Sequence, residues 1–410
     1  MRSLVMPSLA VAVALTASLI GLKAQPDESP SPPASLTASQ GPASSAAEFD
    51  QIARRADEAR QAQRLNEAIE LYQQGVRLRP EWHEGWWNLG TVLYSVDRVS
   101  EARDAFARLT ANLPQHGPSW AFMGLCEMQL KDYERAVMDL DKGRQLGLGD
   151  NKLLIQVTHY NLGILFSRFG RFEQAYASLR GFASERNEEP SVIEAMGISI
   201  LRMPYLPEEV PADKRELVLM AGRAAYKMAA TDYAGADKVF QEVLARYPRT
   251  PNLHYAYGVF LIASHHPEKA HGEFLRELEL TPAHVPARLQ IAQNFMFRAE
   301  YSEALPLARE AVKLAPNSGN ARSVLGRALL GTGEIDAAIR ELETGVRLEP
   351  ENPELHSLLV RAYSKAGRKE DSLREAAEFE RLDKIQRRVQ FQLPKANEDQ
   401  PEKTARPPQP

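Results

Sequence analysis

Residues 83–116 read HEGWWNLGTVLYSVDRVSEARDAFARLTANLPQH. Small and apolar side chains recur here in two runs at helical spacing. Trp86, Leu89, Gly90 and Leu93 share one face of the first run, and Ala102, Phe106 and Leu109 share one face of the second. Val96-Asp97-Arg98 separates the runs. Pro114 ends the second, because proline lacks a backbone donor and clashes inside a helix. The stretch therefore predicts two short helices joined by a tight turn. Counted from His83, the marked residues hold positions 4, 7, 8, 11, 20, 24, 27 and 32.

The pattern recurs along the chain. Prolines stand at 80 and 114, then at 248, 282, 316 and 350, with neighbours in each group 34 residues apart. Ala68, Ala102 and Ala136, then Ala236, Ala270, Ala304 and Ala338, keep the same step. A strict period of this length marks a solenoid. Repeats start at 49, 83, 117, 156, 217, 251, 285, 319 and 353. Position 8 is small in most, as at Gly90, Gly258 and Gly326, and position 20 is alanine except at Ser372. Position 24 is usually large, as at Phe106, Phe274 and Leu342. Small residues at 8 and 20 let the two helices approach, and the large residue at 24 fills the space beside them. One such pair cannot bury its apolar faces alone, whereas stacked neighbours can.

Trp86, Leu89, Gly90, Ala102, Phe106 and Pro114 stand where the tetratricopeptide repeat motif has Trp, Leu, Gly, Ala, Phe and Pro. The chain resembles that family over roughly residues 48–386, with Gly258, Ala270, Phe274, Pro282, Gly326, Ala338 and Pro350 as further structural positions. The resemblance implies an all-α fold: a right-handed α-solenoid, or superhelix, of about nine antiparallel helix pairs.

The pattern departs in three places. Leu148 and Asn187 replace the terminal proline in the repeats at 117 and 156. The repeat from Pro190 predicts a first helix to Leu201, with Gly197 in the small position, but no second helix follows. Met203-Pro-Tyr-Leu-Pro-Glu-Glu-Val-Pro211 comes instead, and three prolines so close forbid one. This segment is either a decayed repeat or a hinge or loop that reaches a partner. The last second helix, from Asp371 to about Gln390, is heavily charged, as suits the exposed end of a solenoid.

Outside the array, Arg2 precedes an uncharged run from Leu4 to Leu22, followed by Lys23 and Ala24. Charged start, apolar stretch and small-residue site predict a secretory signal cleaved after Ala24. The rival is an uncleaved membrane anchor, since the run is just long enough to span a bilayer. Residues 25–47 and 391–410 are rich in Pro, Ser, Ala and charge, and read as a flexible linker and tail. The expected organisation is signal 1–24, linker 25–47, N-terminal block 48–189, degenerate repeat 190–216, C-terminal block 217–390 and tail. The protein is expected in the periplasm or outside the cell, or at the inner membrane if the signal is retained.

The composition is that of a soluble globular protein, with 44% hydrophobic and 25% charged residues. A net charge of −4 and a pI near 6.2 give no electrostatic footprint for nucleic acid. No membrane contact is expected beyond the N-terminal segment. The single cysteine, Cys126, excludes an internal disulfide and reads as a small buried hydrophobe. Phosphate-loop, His-Glu-x-x-His and paired Cys-x-x-Cys signatures are absent, so no catalytic residue, resident metal or cofactor is expected. Gly147 and Gly149 sit at a repeat junction and read as a turn. His254, His265, His266 and His271 form the one histidine cluster, which leaves a metal-binding protein as a lesser alternative.

The resemblance implies that first helices line a concave groove for an extended or helical peptide, faced by positions 2, 5, 9, 12 and 13. Those positions hold Trp87, Tyr94, Tyr160, Arg168, Tyr255, Gln293, Phe297, Arg327 and Arg361, aromatic at first and basic toward the C-terminus. Aromatic and arginine side chains are the usual binding anchors. The Lys/Asn clamp by which one subfamily holds a chaperone's C-terminal carboxylate is missing, since Trp87 and Thr91 occupy its positions. The expected function is a non-catalytic scaffold or adaptor for protein or peptide partners. Alternatives are a membrane-anchored envelope assembly factor and a metal carrier using the histidines.

Overall fold

The computed structural model describes residues 42–391; the predicted signal, the linker before Pro42 and the tail after Phe391 lie outside them. Among the described residues all regular structure is helical. The chain divides into two compact units between Phe169 and Gly170. The first unit runs α1 (Pro42–Gln61), α2 (Leu65–Leu78), α3 (His83–Ser95), α4 (Val99–Asn112), α5 (Gly117–Gln129), α6 (Tyr133–Leu146) and α7 (Lys152–Arg168). The second begins with α8 (Phe172–Leu179), the single turn α9 (Gly181–Ser184) and α10 (Pro190–Ile200). It continues with α11 (Arg215–Ala229), α12 (Tyr233–Arg246), α13 (Leu253–Ala263), α14 (Pro267–Leu280), α15 (Val285–Phe297) and α16 (Tyr301–Leu314). It closes with α17 (Gly319–Thr332), α18 (Ile335–Leu348), α19 (Pro353–Lys365) and α20 (Lys369–Phe391).

The pairing follows the expected sizes. A Cβ added at Gly90 would stand 2.8 Å from the ring of Phe106, and one at Gly326 2.5 Å from Leu342. Ala68, Ala102, Ala136, Ala236, Ala270, Ala304 and Ala338 are completely buried. Small at 8 and 20 and large at 24 is therefore a contact rule, and it sets how closely the two helices of a pair approach.

Each pair turns in the same way. Position 15 has positive φ in every repeat: Gln63, Asp97, Lys131, Gly170, Thr231, His265, Ala299, Gly333 and Gly367. The next residue's N–H then reaches back to the carbonyl of position 11, as from Arg98 to Leu93 at 2.9 Å and from His266 to Leu261 at 2.7 Å. This is the six-to-one bond of a Schellman ending. Only three of these residues are glycine, so most repeats accept a left-handed residue that costs about 1–2 kcal/mol.

Position 4 carries a second recurring device. Trp86 and Trp120 donate Nε1–H to the carbonyls of Pro80 and Pro114, at 2.8 and 2.9 Å. Arg288 and Arg322 donate to Pro282 and Pro316, and His356 Nε2 to Pro350. The terminal proline ends a second helix and leaves its own carbonyl without a helical partner. A long N–H donor one turn into the next helix satisfies it. In several repeats the same side chain also pairs with an acid at position 23: His254 with Glu273, Arg322 with Glu341 and His356 with Glu375.

Two expectations need correction. The linker was expected to run to 47, but α1 begins at Pro42. Phe49 anchors the helix: its ring meets Trp82 edge-on at 5.1 Å, and the Arg79 guanidinium lies 3.8 Å from its centre. The second correction concerns the interrupted repeat. The helix expected at 190–201 is α10, and Arg202 is its left-handed turn residue, with Met203 N–H bonded to the Ile198 carbonyl. Counting back from Arg202 puts Ala195, not Gly197, in the small position. Gly197 instead faces α11. Its Cβ would fall 1.9 Å from the Val218 carbonyl, and that of Gly222 1.9 Å from the carbonyl of Ile193. Thus α11 covers α10 in place of the missing second helix while also pairing with α12.

The Pro-rich segment does not project. It forms two short 3-10 turns, Pro207–Glu209 and Ala212–Lys214. Leu206 and Val210 are 1% and 3% exposed, and Val210 packs with Ile198, Leu201, Val218 and Val243. Glu209 closes the first turn by accepting from the Leu206 N–H at 2.9 Å. The segment supplies by two side chains what a second helix supplies by a face.

Candidate functional site

In the first unit, the aromatic part of the expected groove belongs to the core. Trp87 is 3% exposed. Its ring meets Phe106, Phe122 and His116 edge-on at 5.8, 5.4 and 5.4 Å. Tyr94 is also 3% exposed, and its hydroxyl accepts from Gln129 Nε2 at 2.7 Å. Tyr160 is buried, while Arg168 is exposed. The reason is geometric. Positions 5 and 12 flank the next repeat's first helix, and an aromatic side chain is long enough to be covered by it. Helical phase alone does not separate that flank from the open face.

In the second unit, Tyr255 is half-buried between the rings of Phe274 and His284, at 5.9 and 4.9 Å. Burial pushes its hydroxyl up to about 12. Arg202, which the sequence did not single out, lies 5.6 Å over Tyr255 and 4.8 Å over Phe172, and pairs with Glu173 at 2.5 Å. Below them Asn252, in the left-handed region, donates its backbone N–H to Glu277 and its side-chain amide to the Leu201 carbonyl. His284 caps α15 by accepting from the Ala287 N–H through Nδ1, so Nε2 carries the proton donated to Asn252. Burial and the nearby Arg202 hold this imidazole down at about 4. Tyr255 is thus part of a locked polar network.

The remaining predicted residues are accessible. Gln293 is half-buried, and Phe297 is 90% exposed at the end of α15. Arg327 on α17 is partly buried and paired with Glu354 of α19. Desolvation, then the positive charge of Arg361, holds its guanidinium below the usual arginine range. Arg361 itself is exposed on α19. Three consecutive first helices therefore present an exposed phenyl ring and two neighbouring guanidinium groups. Arg168 of the first unit is the other predicted site residue that is exposed.

The histidine cluster does not form a metal site. His254 holds Glu273 Oε2 at 2.6 Å through Nδ1 and the Pro248 carbonyl at 3.3 Å through Nε2. Both partners accept, so both ring nitrogens donate, and the Glu273 hydrogen bond holds the ring's pKa above its ordinary value. His265 is a left-handed turn residue, His266 precedes α14, and His271 stacks edge-on against Phe295 at 5.6 Å. Among the described residues no group of three His, Cys, Asp or Glu side chains could hold a metal ion. Cys126 is fully buried, and burial pushes its thiol up. Gly147 and Gly149 have positive φ and form the junction turn. No described helix is long and apolar enough to cross a membrane.

Sequence profiles described as tetratricopeptide repeat match residues 53–117, 216–250 and 298–361. No curated protein matches in sequence. Among solved structures, the MamA RS-1 ArsTM double mutant is 20% identical, with a TM-score of 0.38, over 42% of this chain and 96% of that one. Residues 41 to the end of MamA from Desulfovibrio magneticus RS-1 are 22% identical, with a TM-score of 0.36 and the same coverage. A MamA AMB-1 structure is 21% identical, with a TM-score of 0.34, over 41% of this chain and 92% of that one. Tetratricopeptide repeat profiles thus match stretches of both units, and the chain belongs to the tetratricopeptide repeat family.

Proposed function

We propose that the protein is a non-catalytic scaffold that holds a protein or peptide partner on the first-helix face of its second unit. The observation that carries this reading is Phe297, 90% exposed at the end of α15, with the Arg327 and Arg361 pair on the next two first helices. An exposed phenyl ring costs apolar hydration in the free protein, and covering one returns roughly 1.5–3 kcal/mol. Adjacent guanidinium groups supply orientation through carboxylate or carbonyl acceptors. The partner contacts α15, α17 and α19 together, so it lies across successive repeats.

The reading includes export. The uncharged run from Leu4 to Leu22 supports a cleaved secretory signal, and hence work in the periplasm or outside the cell. A crosslinking capture from the host's envelope fraction, with partners identified by mass spectrometry, tests both parts. A partner lost with a folded Phe297→Ser/Arg361→Glu bait supports the groove. An unchanged set of partners removes it. A mature N-terminus at Gln25 supports export as a free protein, and one at Met1 supports an anchored form.

A further inference from the structure

A second kind of surface lies away from the first-helix face. A furrow of about 350 Å³ opens on the opposite side of the first unit, between α2 and α4. Leu89 and Leu93 of α3 form its floor, Val76 and Ala105 its walls, and Arg77 and Arg108 stand on its rim. A furrow of about 340 Å³ opens in the second unit between α16 and α18, with Leu325 and Leu329 of α17 as floor and Val312 as wall. Counted in repeat positions, the shared residues are the same: 7 and 11 from the first helix, 28 from the second helix before it.

The rim charges in the first unit are unevenly satisfied. Glu101 is held by Arg98 through two hydrogen bonds of 2.7 and 2.6 Å, and Asp104 is held by Arg103 at 2.7 Å. Arg77 and Arg108 are exposed and have no ionic partner among the described residues. The acids at the rim are neutralised and the cations are not, so the open charge is positive. In the second unit Arg340 stands likewise without an ionic partner, while Glu341 is taken by Arg322. An apolar floor below unpaired guanidinium groups fits an aliphatic side chain flanked by carboxylates.

From this we infer that the furrow between α2 and α4 of the first unit, whose rim carries two unpaired guanidinium groups, is a separate docking surface for an acidic segment with an aliphatic anchor. It is independent of the first-helix face proposed above. Arg77 and Arg108 take the carboxylates, and the anchor lies on Leu89 and Leu93.

The test uses the full chain and a fluorescein-labelled peptide, Asp-Asp-Leu-Asp-Asp, followed by fluorescence polarisation at low and physiological salt. A second copy of the peptide carries photo-leucine at the centre. The expected result is saturable binding that weakens with salt and at least tenfold when the central residue is alanine. It should weaken at least tenfold in Arg77→Glu/Arg108→Glu and stay unchanged in Phe297→Ser/Arg361→Glu. Photo-crosslinks should fall on α2, α3 or α4. Because the two arginines are exposed, their reversal leaves the fold intact, which the far-UV spectrum checks. Absence of binding overturns the proposal, as do crosslinks confined to the first-helix face or binding indifferent to the charge reversal. Peptide binding lost only in the Phe297→Ser/Arg361→Glu protein would support the first-helix site and remove this one.

Discussion

Glu127 is the residue whose replacement tests most of this reasoning at once. It occupies position 11 of α5, where other repeats place Leu93, Leu261 or Leu329. It is 4% exposed, and its Oε2 has no hydrogen-bond partner. Asp139 and Asp132 add repulsion, Arg135 opposes it, and Arg103 of α4 lies within electrostatic range. Burial first, and the carboxylate of Asp139 next, push Glu127 up to about 8 from an ordinary 4.5. The folded state therefore holds a proton that the unfolded chain releases, across the window between those two values. Stability falls as pH rises through that window, the reverse of an ion-paired acid. At about 1.4 kcal/mol per tenfold change in ionisation constant, the shift caps the effect near 5 kcal/mol. Sharing of the charge with Asp139 brings the expected loss to about 2–4 kcal/mol. Trp82, Trp86, Trp87 and Trp120 are the chain's four tryptophans and all lie in the first unit, so their fluorescence follows that unit alone. Urea unfolding at pH 5, 7 and 9 should show the wild-type fluorescence midpoint falling with pH. In Glu127→Gln, which keeps the shape and removes the proton, the midpoint should be nearly flat and higher at pH 9. A wild-type midpoint that moves with pH just as the variant's does would refute the reasoning.

Four further outcomes follow from named contacts. Gly90→Val should unfold the first unit or cost several kcal/mol, because even a Cβ would stand 2.8 Å from the Phe106 ring; tryptophan fluorescence reads it. Ala299→Gly should stabilise the second unit by about 0.5–1 kcal/mol, since Ala299 sits at a φ of 60°; circular dichroism melting checks the direction. Leu206→Ala should cost about 2–4 kcal/mol if the Pro-rich segment fills the core as a missing helix would; a loss below 0.5 kcal/mol would return it to the role of a free loop. His254 has its pKa held above the ordinary 6.5 by Glu273. Its stabilisation is full below that value and lost as pH rises past the raised one, so His254→Ala should cost about 1 kcal/mol or more at pH 6 and less at pH 9.

Much of the fold was legible because repetition multiplies a weak local signal. A glycine at one position says little, but Gly90, Gly258 and Gly326, each eight residues into a 34-residue unit opposite a large residue at position 24, state a contact. The left-handed turn was less visible. Asp97, Lys131 and Ala299 adopt the backbone that Gly333 adopts, and nothing in their side chains announces it. The position 4 donors were hidden for the opposite reason: Trp, Arg and His share one acceptor, the carbonyl of a terminal proline, and no common letter.

The candidate site divides along the same line. Helical phase placed Trp87 and Phe297 on the same side of their helices, at positions 5 and 13. Phase is a property of one helix, and there the sequence by itself determined the answer: which residues belong to first helices, where each pair turns, and which face can meet a neighbour. Whether that face stays open depends on the next repeat. Phe122 and His116 close over Trp87, while Phe297 is left 90% exposed. Likewise three prolines forbade a second helix after Arg202, but only tertiary packing could bring Gly222 against Gly197 and seat Leu206 and Val210 in its place. Covering surfaces come from residues distant in the chain, and no local period records them.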